Sequence, residues 1–244
     1  AEMPFLEHLE ELRWRIIKIF AALIVTSIAC YMISDYLFAW LRWPLEKAVS
    51  DGSVTLNFLK VGEGFTVRVK LSILAGIFIS IPVTIYQIWR FVMPGLYQKE
   101  KRVVIPLVFI SSFLFLIGAI LCFFWVLPFT IKFLINVAPE NVKPILTINE
   151  YLNFVMWTTL SYGLVFQLPI ISLFLGKIGL INARILNRGR RYAILIIAIV
   201  AAVVTPPDVF SMIMMGLPLY LLYEISILAL YLIGKSGKEK KIAG

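Results

Sequence analysis

An all-α integral membrane protein is the fold class this sequence implies. Of its 244 residues 61% are apolar and only 15% charged, and the mean hydropathy is +0.92. A soluble domain carries about 45–50% apolar and about 25% charged residues. The basic residues, in excess by a net charge of +9, fall between long apolar runs and form no patch for nucleic acid. The chain reads as one domain, 1–244, without repeats or low-complexity linkers.

Six transmembrane helices follow from apolar segments measured against the roughly 20 residues that cross a bilayer core. The first, Ile16–Ser34, carries only Lys18, near enough to its end to snorkel. The second, Leu71–Trp89, contains Pro82 and no charge. The third, Val103–Leu127, and the fourth, Tyr151–Leu175, are also uncharged, and the fourth contains Gln167 and Pro169. The last two, Tyr192–Val204 and Phe210–Ile233, are expected to be short and to meet in a hairpin at Pro206 and Pro207. Such short spans would thin the bilayer locally. Trp40 and Trp43, between the first two spans, suit an interfacial helix on the outer side.

Orientation follows from the placement of Lys and Arg. Most of them lie in the N-terminal segment, in the connections between spans two and three and between spans four and five, and in the tail. The other connections carry only Arg42, Lys47, Lys60, Arg68, Lys70, Lys132 and Lys143. Both termini are therefore expected in the cytoplasm, N-in and C-in, in agreement with an even number of spans. The acidic N-terminal segment does not read as a cleaved signal peptide.

Polar groups at membrane depth need a reason. Gln167 lies near mid-depth, two residues before Pro169, which frees a backbone carbonyl near Val165. Its amide either bonds locally or to a neighbouring span, or docks a polar group from another protein's span. Glu224 is either solvated at the cytoplasmic interface or buried with a partner. In the N-terminal segment Phe5, Leu9 and Leu12 share one helical face and Glu7, Glu10 and Glu11 the opposite one. A membrane-surface helix normally shows Lys and Arg on its polar face. Here the carboxylates form either a solvated face or a receptor for a cationic ligand, which Glu100 in a neighbouring loop would complete. His8 is expected at the surface. Asp208 suits the start of a helix after the prolyl turn. Cys30 and Cys122 behave as small hydrophobes inside spans.

Catalytic chemistry finds little here. The chain has one histidine and no zinc-binding His pair, P-loop or nucleophile elbow. Neither a metal nor a cofactor is expected, and no enzymatic activity.

Five motifs in order carry a family resemblance: His8-Leu9-Glu10-Glu11-Leu12-Arg13; Phe91-Val92-Met93-Pro94-Gly95-Leu96-Tyr97 leading to Glu100-Lys101-Arg102; Asn187-Arg188-Gly189-Arg190-Arg191-Tyr192; Thr205-Pro206-Pro207-Asp208-Val209-Phe210-Ser211; and Pro218-Leu219-Tyr220-Leu221-Leu222-Tyr223-Glu224. Together they resemble the TatC family, the polytopic core of the twin-arginine protein translocase, from about Met3 to Ile233. The resemblance implies a receptor in the bacterial inner membrane that reads the signal peptides of folded cargo. It implies that Glu11 and Glu100 contact the signal's arginines, with Arg13, Phe91 and Leu96 around them. Carboxylates suit such a ligand because they accept the forked hydrogen bonds of a guanidinium.

The resemblance also implies single-span partners of the TatA/TatB type, an oligomeric complex with membrane lipids around it, and the proton-motive force as energy source. The family's fourth span carries Phe-Glu-x-Pro, whose glutamate meets a partner helix. The present chain has Phe166-Gln167-Leu168-Pro169, with an amide that keeps an acceptor but cannot ionise. The contact is expected at Gln167 and Pro169, and an outer-face turn at Pro206, Pro207 and Asp208. The rival reading is a secondary transporter or proton-coupled carrier. That class shows inverted repeats and broken helices around a midplane ion site, and neither is evident here.

Overall fold

The computed structural model describes residues 5–49, 54–92, 104–137, 145–205 and 208–242. They are almost wholly helical. Five segments are long and apolar enough to cross a membrane: Glu7–Met32, Glu63–Val92, Ile105–Val137, Ile148–Gly176 and Val209–Tyr231. Many of their large apolar side chains lie open, among them Phe20, Ile24, Val25 and Ile28 on the first. Exposed apolar surface on this scale fits lipid as the surrounding solvent.

The expected fifth span is the helix Arg190–Val204, only 15 residues long, which at about 1.5 Å per residue covers roughly 22 Å. The expected sixth span is not short. Its helix runs Val209–Ile242, and 23 residues of it are apolar enough to cross. The expected hairpin thus has unequal arms.

The chain forms two compact units, residues 1–116 with 140–156, and 117–139 with 157–244. In the first, α1 (Phe5–Met32) packs along α3 (Glu63–Val92), with α2 (Ser34–Ala48) against α3. The close α1–α3 approach depends on Gly76, because a Cβ there would lie 2.4 Å from Ser27 Oγ and 2.9 Å from Ser27 Cα. Next to it Thr26 Oγ1 donates to Gly76 O at 3.0 Å. The first span ends at Met32, and Ser34 begins α2, where Asp35 complements the positive helix end. Leu41, Pro44, Leu45 and Ala48 of α2 are buried while Trp40 is exposed.

The loop after α2 is tied down twice. A short parallel pairing sets β1 (Leu56–Asn57) beside β2 (Leu146–Thr147). Buried Glu63 accepts from the N–H groups of Leu59, at 2.7 Å, and Lys60, at 3.2 Å. Lys70 Nζ donates to Asn149 Oδ1 at 2.8 Å and Asn153 Oδ1 at 2.9 Å. The ammonium group therefore has two amide acceptors from the following helix, α6 (Ile148–Val165).

The third span continues beyond the expected Leu127. α4 (Val104–Leu121) passes into a π-helical stretch, Cys122–Val126, and then α5 (Leu127–Val137). Pro128 follows just after this stretch, in the first turn of α5, and the wider π turn before it admits its ring. Leu127 N–H bonds to Cys122 O across that turn.

The fourth span is broken rather than continuous. α6 ends at Val165 and α7 (Leu168–Lys177) begins after Phe166-Gln167, the place where Pro169 removes a backbone donor. Phe166 is buried on Gly118, whose missing Cβ would lie 2.6 Å from its ring. After α8 (Ala183–Arg188) and α9 (Arg190–Val204), α10 (Val209–Ile242) packs against α5, α7, α8 and α9 within the second unit.

Candidate functional site

The carboxylate segment falls on the first turns of α1. Glu7 and Glu10 are exposed, as expected of a solvated face. Glu11 is not on that face. It is half-buried, and Oε1 accepts from Arg15 Nη2 one turn on. Its other oxygen, Oε2, lies 3.9 Å from His8 Nδ1. Leu9, expected on the apolar inner face, is 45% exposed. The inward seam is rotated by about one residue and runs through His8, Leu12 and Arg15 at helical spacing.

Arg15 is buried. Sequence reading treats it only as one of the topology-setting cations, yet its spacing of seven from His8 places both on one helical face. His8, expected simply at the surface, stacks on Phe91 of α3, with ring centroids 4.4 Å apart and planes 14° from parallel. Phe91 therefore lies beside the start of α1, one ring away from Glu11. Arg13 is exposed. Leu96 and Glu100 lie outside the described residues.

The other predicted positions belong to the second unit. Gln167 is half-buried at the break before α7, where its carbonyl accepts from Ile171 N–H at 3.0 Å. Pro169 is buried in the first turn of α7. Asp208 Oδ1 accepts from Ser211 N–H at 2.7 Å, which satisfies one of the unpaired donors at the start of α10. Thr205 is buried, and Oγ1 donates to Ala201 O at 2.8 Å. Pro206 and Pro207 lie outside the described residues. Glu224 is neither wholly solvated nor unpartnered, since Arg190 Nη2 donates to it at 2.8 Å with both side chains partly exposed. Among the described residues no group of three His, Cys, Asp or Glu side chains is placed to hold a metal.

The Sec-independent protein translocase protein (TatC) family matches residues 7–218. The chain belongs to the TatC family. Its relatives include Sec-independent protein translocase proteins TatC from Desulforapulum autotrophicum, 40% identical over 95% of this chain and 86% of that protein, and from Campylobacter jejuni, 38% identical over 96% of both. The Aquifex aeolicus TatC is 39% identical over 98% of both. A crystal structure of the twin arginine translocase receptor TatC in DDM superposes with a TM-score of 0.82 at 37% identity. It covers 91% of this chain and 99% of that one. A TatC-family protein is a translocase component rather than an enzyme, so the candidate site is one of binding. Membership also makes it a multi-span membrane protein.

Proposed function

We propose that this chain is the signal receptor and core subunit of a twin-arginine translocase. In this reading Glu11 and Glu100 take the guanidinium groups of a twin-arginine signal peptide, within a surface that includes Arg13, Phe91 and Leu96. The observation that carries the reading is the setting of Glu11. It is a half-buried carboxylate, held against a guanidinium on one side and next to an aromatic stack on the other. Burial strengthens its attraction for a cation relative to an exposed carboxylate, and planar guanidinium groups favour both carboxylates and ring faces. The crystal structures that resemble this chain are of proteins described as twin arginine translocase receptors, which supports the same assignment.

The finer topology belongs to this proposal. The chain acts as one TatC-type domain of six spans, with Arg190–Val204 as a short fifth, in a bacterial inner membrane with both termini cytoplasmic. TatA/TatB-type single spans dock beside Gln167 and Pro169, the Pro206, Pro207 and Asp208 turn faces outward, and several copies assemble among the lipids. Energy comes from the proton-motive force. Export of a folded reporter with a twin-arginine signal, in cells lacking their own TatC subunit, tests the assignment. The wild-type chain is expected to restore export and the E11Q variant to reduce it sharply. Normal export with E11Q and E100Q combined would refute the role of the carboxylates.

A further inference from the structure

The Glu11–Arg15 pair is incomplete on both sides. Arg15 is 8% exposed and Gln87 is 9% exposed. Among the described residues, Arg15 Nε, Glu11 Oε2 and Gln87 Oε1 are buried without a hydrogen-bond partner. A buried polar atom left without a partner is costly and uncommon. Arg15 and Gln87 sit between the same two anchor points of the α1–α3 pair. One anchor is the contact of Thr26 and Ser27 with Gly76, and the other is the stack of His8 on Phe91.

We propose that Arg15 is a resident competitor for Glu11, released to the amide oxygen of Gln87 when an arginine-bearing ligand takes its place. The proposal rests on the receptor reading above and deepens it. Arg15 reaches Glu11 through Nη2 and one carboxylate oxygen only. A ligand guanidinium that displaces Arg15 can use both oxygens in a fork, the stronger geometry. Arg15 then stays buried and charged, and such a cation needs another acceptor. Gln87 Oε1 is the acceptor left open for it. The exchange also selects the ligand. An ammonium group is a point donor that gains less from two oxygens than a guanidinium does, so a lysine signal displaces Arg15 poorly. Arg15 is in this sense a specificity-determining residue that acts through Glu11.

Binding of labelled Arg-Arg and Lys-Lys signal peptides to the detergent-purified full chain tests the exchange. In R15Q the Arg-Arg peptide is expected to bind about fivefold tighter, the scale of one partly exposed ion pair no longer broken. The Lys-Lys peptide should gain more, so that discrimination between the two falls. Q87L should weaken Arg-Arg binding in the wild-type background and leave it unchanged in the R15Q background, a coupling that fold damage alone does not produce. Equal effects of Q87L in both backgrounds, or unchanged discrimination in R15Q, would overturn the proposal. If the wild-type chain fails to prefer Arg-Arg, or E11Q leaves binding intact, the receptor reading itself has failed.

Discussion

The hydroxyl of Tyr162 donates to the carbonyl of Met214 at 3.0 Å, the carbonyl that Pro218, four residues later in α10, leaves without its helical donor. Tyr162 is 1% exposed, so this bond joins α6 to α10 and repairs the defect with one group. Y162F should leave the Met214 carbonyl unpaired inside the membrane and cost about 1–3 kcal/mol. Restoring the backbone donor with P218A should remove most of that cost, read as the melting temperature of the single and double variants in detergent. An equal loss in both backgrounds would show that the hydroxyl matters for another reason.

Gly76 sets the distance between α1 and α3. G76A should destabilise by about 1–3 kcal/mol, the usual range for overpacking. S27A should not rescue it, because the new methyl group would also meet the backbone N and Cα of Ser27 at 2.9 Å. Thermal unfolding of the three variants checks both statements.

Arg190 and Glu224 form an ion pair with side-chain exposures of 47% and 30%. Solvent screens such pairs, so R190Q should cost less than about 1 kcal/mol. The loss should shrink as salt is raised from low to physiological strength. A larger, salt-independent loss in the unfolding temperature would mean that the pair is shielded from water.

Asp208 caps α10 through Ser211 N–H. D208A should cost about 1 kcal/mol, and D208N, which keeps an acceptor at the same place, should recover most of it. Chemical unfolding separates the two variants. Equal losses would show that the negative charge, not the hydrogen bond, carries the effect.

Much of this fold was legible because lipid imposes one strong rule, that long apolar runs become helices. Each of the first four expected spans lies on a long apolar helical segment, but the first two segments begin well before the expected Ile16 and Leu71, at Glu7 and Glu63, and the third runs on to Val137. The failures were local and had a physical cause. The third span is expected to end at Leu127, yet a π-helical turn leads into α5, which runs on to Val137. Pro169 lies within the run expected as one span, Tyr151–Leu175, yet the helix breaks just before it. At the candidate site, composition identified the carboxylates of the N-terminal segment but not which of them turned inward. Arg15 looked like a topology charge because Lys and Arg are so often that in membrane proteins. Its inward position depends on the rotation of α1 against α3, set by Gly76 and by the His8–Phe91 stack. Those are contacts between helices, and the periodicity of one helix alone does not specify them.

The central claim is that Glu11 receives a guanidinium. Binding of a labelled Arg-Arg signal peptide against its Lys-Lys counterpart, at stated low salt, measures it most directly on the purified chain. A clear preference for Arg-Arg is expected, weakened in E11Q and in E100Q while both variants remain folded. Equal binding of the two peptides, or unchanged affinity in both variants, would reduce the carboxylate face to a solvated surface and contradict the receptor assignment.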